Sequence, residues 1–187
     1  MEQIRAAALA HRARERYPWP VSDNVIVETN HGSFTIELDP ARAPKTVANF
    51  LAYVDAGHYT GTIFHRVIAG FMIQGGGYDT AYNRKATNPP VQSEADNGLD
   101  NTRGTVAMAR TGDPHSATAQ FFVNTVDNAF LDHQAKTSQG WGYTVFGKVT
   151  SGMDVVDSIR NVQTSNAGPF SKDAPVEQVV IDAIRRG

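Results

Sequence analysis

The 187-residue chain is long enough for one ordinary domain, and a chain of this size can bury about 70% of its unfolded surface without disulfides or metals. Hydrophobic residues make up 41% of the chain and charged residues 19%, which indicates a globular protein rather than a disordered one. The net charge of -2, with both signs mixed along the chain, argues against a nucleic-acid partner, and the absence of cysteine excludes disulfides, thiolate catalysis and cysteine zinc sites.

Residues 1–20 form a separate unit, because their composition differs from that of the rest of the chain. Ile4, Ala7 and Ala8 recur at helical spacing and predict a helical N-terminal extension, which Pro18 would end. One interpretation is a packed or frayed helix, and a targeting or docking element is the alternative. No stretch approaches the roughly 18 apolar residues of a membrane span, and no secretory signal is recognisable. The expected location is cytoplasmic, or periplasmic if a signal peptide has been removed, with no membrane partner.

Residues 21–187 are predicted to form one domain of many short strands and two helices. Apolar and polar residues alternate around Gly32, which predicts a β-hairpin. Apolar residues recur at helical spacing after Pro44, and again over residues 153–160. Further strands are predicted near residues 63–68, 71–74, 105–108, 121–125, 144–149 and 179–184.

The absence of alternating strands and helices favours a mainly β fold with a closed or nearly closed antiparallel sheet. Residues 75–104 hold three consecutive glycines and two consecutive prolines but no periodic stretch. This segment is predicted to be a long surface excursion, and loops of that length in a compact domain are usually functional.

Arg66 is the residue in this pattern that points to chemistry. Alternation along its predicted strand places it on one face with Phe64 and Ile68, and places His65 on the other. An arginine between large apolar residues is either a snorkelling or ion-paired side chain at a sheet edge, or a charge held over an apolar pocket. The histidines lack metal-binding spacing, so no metal or cofactor is expected, and His65 is interpreted as a hydrogen-bonded structural residue.

Several motifs resemble the signatures of cyclophilin-type peptidyl-prolyl cis-trans isomerases, and most closely those of the bacterial branch. The longest is Phe64-His65-Arg66-Val67-Ile68-Ala69-Gly70-Phe71-Met72-Ile73-Gln74. Others are the runs at residues 104–110, 120–125, 130–132 and 145–149, which occur in the family's order. The resemblance extends from about Val25 to the last strand. It implies an eight-stranded antiparallel barrel capped by two α-helices, and isomerase activity on X-Pro peptide bonds that assists protein folding.

The same resemblance implies roles for individual residues. Arg66 matches the catalytic arginine, and Gln74 matches the glutamine that positions it and the substrate. The walls of the proline pocket match Phe71, Met72, Phe122 and Leu131; the backbone that binds the extended peptide matches Ala109 and Arg110; the rim matches Phe130 and Tyr143. The implied substrates are proline-containing peptides and unfolded proteins, bound by a monomer. A proline-peptide binding module or chaperone without significant turnover is the alternative.

The chemistry of prolyl isomerisation explains these residue types. Rotation about a peptide bond has a barrier of about 18–20 kcal/mol, because resonance is lost as the amide twists. In the twisted state the lone pair of the proline nitrogen becomes available, so a guanidinium that donates to it binds the transition state better than the planar ground state. An apolar pocket would hold the ring and exclude water that weakens the field of the arginine.

Two positions depart from the best-known eukaryotic pattern of this family. Phe130 stands where many members carry tryptophan, and Tyr143 stands where they carry histidine, after an inserted loop over residues 133–142. In sensitive members that tryptophan donates its indole N–H to cyclosporin, the inhibitor of the family. This chain is therefore expected to bind cyclosporin weakly.

Overall fold

A computed structural model describes residues 24–187. The helical extension predicted for residues 1–20 lies outside the described residues. A single 3-10 turn, Ala129–Leu131, lies between the seventh and eighth strands of the described chain. The other elements are β1 Asn24–Thr29, β2 Gly32–Leu38, α1 Pro44–Asp55, β3 Thr62–Ile63, β4 Arg66–Ile68, β5 Met72–Gly75, β6 Thr105–Met108, β7 Phe121–Asn124, β8 Val145–Ser151, α2 Met153–Arg160, β9 Thr164–Ala167, β10 Phe170–Pro175 and β11 Val180–Arg186.

The main sheet is antiparallel and closes on itself through residues 62–68. Its nine strands follow the order β3-β11-β1-β2-β8-β6-β7-β5-β4. β3 and β4 stand at the two ends of this order, although only Phe64 and His65 separate them along the chain. β3 pairs with β11, and β4 pairs with β5. When residues 62–68 are counted as one strand instead of two, the sheet is a closed barrel of eight strands. The predicted fold class is confirmed.

Alternation along the strands fills the barrel with apolar side chains. On β2, the side chains of Phe34, Ile36 and Leu38 are buried, and those between them are not. α1 contributes Phe50, which is fully buried and lies 5.7 Å, centroid to centroid, from the ring of Phe121. Burying a phenylalanine stabilises a fold by about 1.5–3 kcal/mol, so packing holds this helix to the barrel more strongly than helix propensity does.

Both predicted helices are present. α1 begins at Pro44; the first N–H groups of a helix have no partner within it, so the missing N–H of proline costs no hydrogen bond there. The helix ends two residues before Gly57, whose φ is +67°. α2 carries Asp154 in its first turn and Arg160 in its last, an arrangement that the helix dipole favours. Within the described residues, neither helix has the length and hydrophobicity needed to cross a membrane.

Residues 164–175 contain a hairpin that the sequence pattern did not predict. β9 and β10 pair with each other as a separate two-stranded sheet, and β10 packs against β4. Most of their side chains are exposed or half-buried, so no apolar alternation marks these strands. Between β5 and β6, the described chain has isolated bridges but no helix or strand, in agreement with the predicted excursion.

Candidate active site

A cavity of about 370 Å³ on the barrel collects every predicted site residue except Phe130. The predicted residues that line it are Arg66, Phe71, Met72, Gln74, Ala109, Arg110, Phe122, Leu131 and Tyr143. Four further lining residues were not assigned to the site from the sequence: His65, Tyr78, Gln120 and Phe170. Phe130 is 70% exposed and lies in the adjoining depression, which it shares with Arg110 and Tyr143.

Met72, Phe122 and Leu131 form the apolar floor of this cavity, with exposed fractions of 1%, 4% and 7%. β5 and β7 are neighbours in the sheet, and their register pairs Gln74 with Phe122. Adjacent side chains of β7 point to opposite faces, so Phe121 belongs to the barrel core while Phe122 packs with the floor. The prediction that one ring of this pair faces inward and the other faces the site is confirmed.

Arg66 lies at the mouth of the cavity, where a chain of side chains holds it. The β4–β5 register pairs Arg66 with Gln74, and Nη1 of the arginine lies 3.5 Å from Oε1 of the glutamine. Gln74 in turn donates through Nε2 to Oε1 of Gln120 at 2.9 Å. The guanidinium carbon is 5.9 Å from the centroid of the Phe71 ring. Gln120 thus contacts Gln74 on the side away from Arg66, and the position of Gln120 at the start of the motif at residues 120–125 is the sequence signal that could have identified it.

Arg110 and Tyr143 form the rim at the end of the inserted loop. Nε of Arg110 donates to the carbonyl oxygen of Gly142 at 2.9 Å, and the guanidinium carbon lies 4.5 Å from the centroid of the Tyr143 ring. Gly142 has a φ of +70°, and a Cβ there would lie 2.5 Å from the carbonyl oxygen of Leu131. Only glycine therefore lets the loop return so close to the floor. Among residues 24–187, no three His, Asp or Glu side chains cluster closely enough to hold a metal ion.

His65 lies on the wall of the cavity, although strand alternation places it away from Arg66. The alternation is interrupted, because β3 ends at Ile63 and β4 begins only at Arg66. Phe64 consequently enters the barrel core, and His65 stacks on Phe170 at a centroid distance of 5.0 Å. Its Nδ1 atom is buried without a hydrogen-bond partner among the described residues. Burial, with a smaller contribution from the charge of Arg66, lowers the pKa of His65 to about 4.

We expect the buried His65 to make the fold less stable in acid. The ordinary pKa of histidine is 6.5, so between that pH and about pH 4 the unfolded state binds a proton that the folded state does not. The free energy of unfolding therefore falls as the pH falls, by about 3 kcal/mol over the whole of this pH interval. His65→Phe keeps a ring on Phe170 but cannot titrate, so urea unfolding at pH 7 and pH 4 should show a correspondingly smaller loss. His31→Phe, at an exposed turn position, is the control, and equal losses in wild type and His65→Phe would contradict the expectation.

Comparisons with known proteins identify the family of this chain. A family model described as "Cyclophilin type peptidyl-prolyl cis-trans isomerase/CLD" matches residues 24–186. A peptidyl-prolyl cis-trans isomerase of Streptomyces antibioticus is 59% identical over 161 residues, which cover 86% of this chain and 96% of that protein. Peptidyl-prolyl cis-trans isomerase B of Escherichia coli K12 is 55% identical over 160 residues, covering 86% of this chain and 97% of that protein.

A solved structure agrees with these sequence relatives. It is a cyclophilin-type peptidyl-prolyl cis-trans isomerase of Cryptosporidium parvum, crystallised in the presence of the dipeptide Ala-Pro. It superposes with a TM-score of 0.72 at 28% identity, over 88% of this chain and 98% of that one. The chain therefore belongs to the cyclophilin-type peptidyl-prolyl cis-trans isomerases.

Proposed function

We propose that this isomerase binds proline-containing peptides and unfolded proteins in the cavity beneath Arg66, and that Arg66 accelerates rotation by donating to the proline nitrogen as the amide twists. One observation carries the proposal. The exposed guanidinium of Arg66 opens onto the same cavity as the buried floor of Met72, Phe122 and Leu131. The reaction needs a positive charge near the proline nitrogen and an apolar surface that binds the proline ring, and this cavity has both.

The floor would bind the proline ring by burying its apolar surface. Burial of apolar area contributes about 25 cal/mol per Å², and the contact is the same in the planar and twisted amides. The floor therefore contributes to binding of the ground and transition states alike, and by itself would lower KM without raising kcat. It also keeps water away from the reacting bond, which strengthens the field of the guanidinium.

Arg66 supplies the interaction that differs between the two states. In the planar amide the nitrogen lone pair is delocalised and accepts no strong hydrogen bond, whereas in the twisted amide it does. Gln74, which donates to Gln120, lies 3.5 Å from the guanidinium and limits its orientations. Less orientational freedom is then lost when the transition state forms. No nucleophile and no proton transfer are needed.

A proline-isomerisation assay on a short X-Pro peptide tests the proposal directly. Wild-type chain should raise the cis-trans exchange rate in proportion to its concentration, and Arg66→Ala should abolish most of the effect. A folded wild-type chain that binds the peptide without accelerating its exchange would instead support a proline-peptide binding module.

Deleting residues 1–20 should leave the activity close to that of the full chain. The family match begins at residue 24, and within residues 24–187 the cavity is lined by residues between positions 65 and 170. The measurement is kcat/KM on the same short peptide, with circular dichroism to verify that the barrel is folded. A large loss of kcat in the folded deletion variant would show that the extension contributes to the site.

A further inference from the structure

The β9–β10 hairpin places an aromatic side chain in the active-site cavity. Phe170, the first residue of β10, is half-buried and lines the cavity with Arg66. The hairpin packs against β4, the strand of Arg66, and also against Tyr82. At Gly168, where φ is +52°, a Cβ would lie 2.4 Å from Cγ of Tyr82. Packing on two sides therefore fixes the position of the Phe170 ring.

Phe170, His65 and Tyr78 together form what we term the aromatic wall of the cavity. The rings of His65 and Phe170 stack at 25°, and the ring of Tyr78 lies 4.8 Å from the first and 5.0 Å from the second, centroid to centroid. The wall is uncharged at neutral pH, because burial lowers the pKa of His65 to about 4. The floor ring, Phe122, packs against Tyr143 instead. The cavity thus has two separate apolar surfaces.

Given the function proposed above, the geometry assigns a second subsite to the aromatic wall, which receives a large apolar side chain from a substrate residue that flanks the proline. The floor accounts for the proline ring and Arg66 accounts for the amide, but neither uses the surface that the hairpin adds. His65 directly precedes Arg66. Because neighbouring residues of a peptide are about 3.8 Å apart, a side chain next to a proline held at Arg66 can reach the wall.

The chemistry of the wall selects its occupant. Rings fixed in a cavity offer apolar area to phenylalanine or leucine and edge-to-face contacts to phenylalanine, and alanine can use little of either. Aromatic contacts of this kind correspond to a preference of about fivefold for phenylalanine over alanine. The hairpin would thereby set which X-Pro sequences the enzyme turns over fastest.

The test is a series of short X-Pro peptides with phenylalanine, leucine, alanine or glutamate placed at one flanking position at a time, before and after the proline. In wild type we expect kcat/KM to favour phenylalanine over alanine about fivefold at one flanking position, mainly through KM. Phe170→Ser should bring that ratio close to one. Val176→Ser, an exposed residue just after the same hairpin that does not line the cavity, is the matched control and should keep the wild-type ratio.

Phe170→Leu is a second variant, included because Phe170→Ser could unfold the hairpin. It retains most of the apolar volume, so it should fold and show an intermediate ratio. A flat profile in wild type, or an unchanged ratio in folded Phe170→Ser or Phe170→Leu, would overturn the subsite. If Arg66→Ala is inactive, such a result would overturn the subsite and leave the catalytic proposal standing. An active Arg66→Ala would overturn the catalytic proposal, and the phenylalanine-to-alanine ratio would still decide whether the subsite exists.

Discussion

Arg66→Ala should lower kcat/KM for a short X-Pro peptide by about 100- to 1000-fold, the usual cost of removing one charge-assisted donor to a transition state. The barrel should remain folded, because the Arg66 side chain is exposed and its hydrogen bond to Gln74 is long, at 3.5 Å. Its removal therefore leaves no buried partner unsatisfied. The measurements are the isomerisation rate on the peptide and thermal unfolding of both proteins.

Two further variants sharpen this result. Arg66→Lys keeps the charge but replaces the planar fork that Gln74 orients with a single ammonium, so it should also be poorly active. Arg185→Ala removes an exposed arginine that pairs with Glu28 on β1, outside the cavity, and should keep the wild-type rate. Normal activity in a folded Arg66→Ala would mean that Arg66 is not the catalytic group.

Phe130→Trp should tighten cyclosporin binding by about ten- to a hundredfold. Phe130 is 70% exposed and its ring lies 5.5 Å from that of Phe71, centroid to centroid, so an indole at this position would have its N–H free to donate to a ligand. A neutral hydrogen bond contributes about 0.5–1.5 kcal/mol, and leaving an acceptor of the inhibitor unpaired costs more. Each 1.4 kcal/mol is a factor of ten in affinity. Calorimetric titration of wild type and variant measures the difference.

The rate assay supplies the control for the cyclosporin experiment. Phe130 lies outside the cavity that contains Arg66, so Phe130→Trp should shift kcat/KM for a short peptide only modestly. Low-nanomolar binding by wild type, or no gain from the tryptophan, would contradict the role of Phe130. The inserted loop over residues 133–142 would then be the next segment to vary.

The sequence was sufficient to predict the barrel and most of the site. Alternation located the first hairpin, short apolar runs located most of the other strands, and helical spacing after Pro44 located α1. The resemblance between motifs named residues far apart in sequence, such as Gln74 and Phe122, which the β5–β7 register brings side by side. Spacing along the chain alone could not have paired them.

The parts that were missed have physical reasons. Most side chains of the hairpin that carries Phe170 are exposed or half-buried, so its strands lack the apolar alternation by which strands are recognised. The predicted orientation of His65 was wrong. Phe64 and His65 connect β3, which pairs with β11, to β4, which pairs with β5, and the alternation of side chains does not continue through this connection. The link from Gln120 to Gln74 is a contact between a side chain just before β7 and one on β5, which no local pattern records.

The order of strands also determines when the barrel can close. β11 lies between β1 and β3 in the sheet, and its register pairs Arg186 with Val25. While the chain is being synthesised, β1 and β3 leave the ribosome long before the strand that must join them. Pairings between such distant residues also form slowly. In a nascent chain, β1 and β3 therefore lack the partner that lies between them, and the barrel can close only after β11 has emerged.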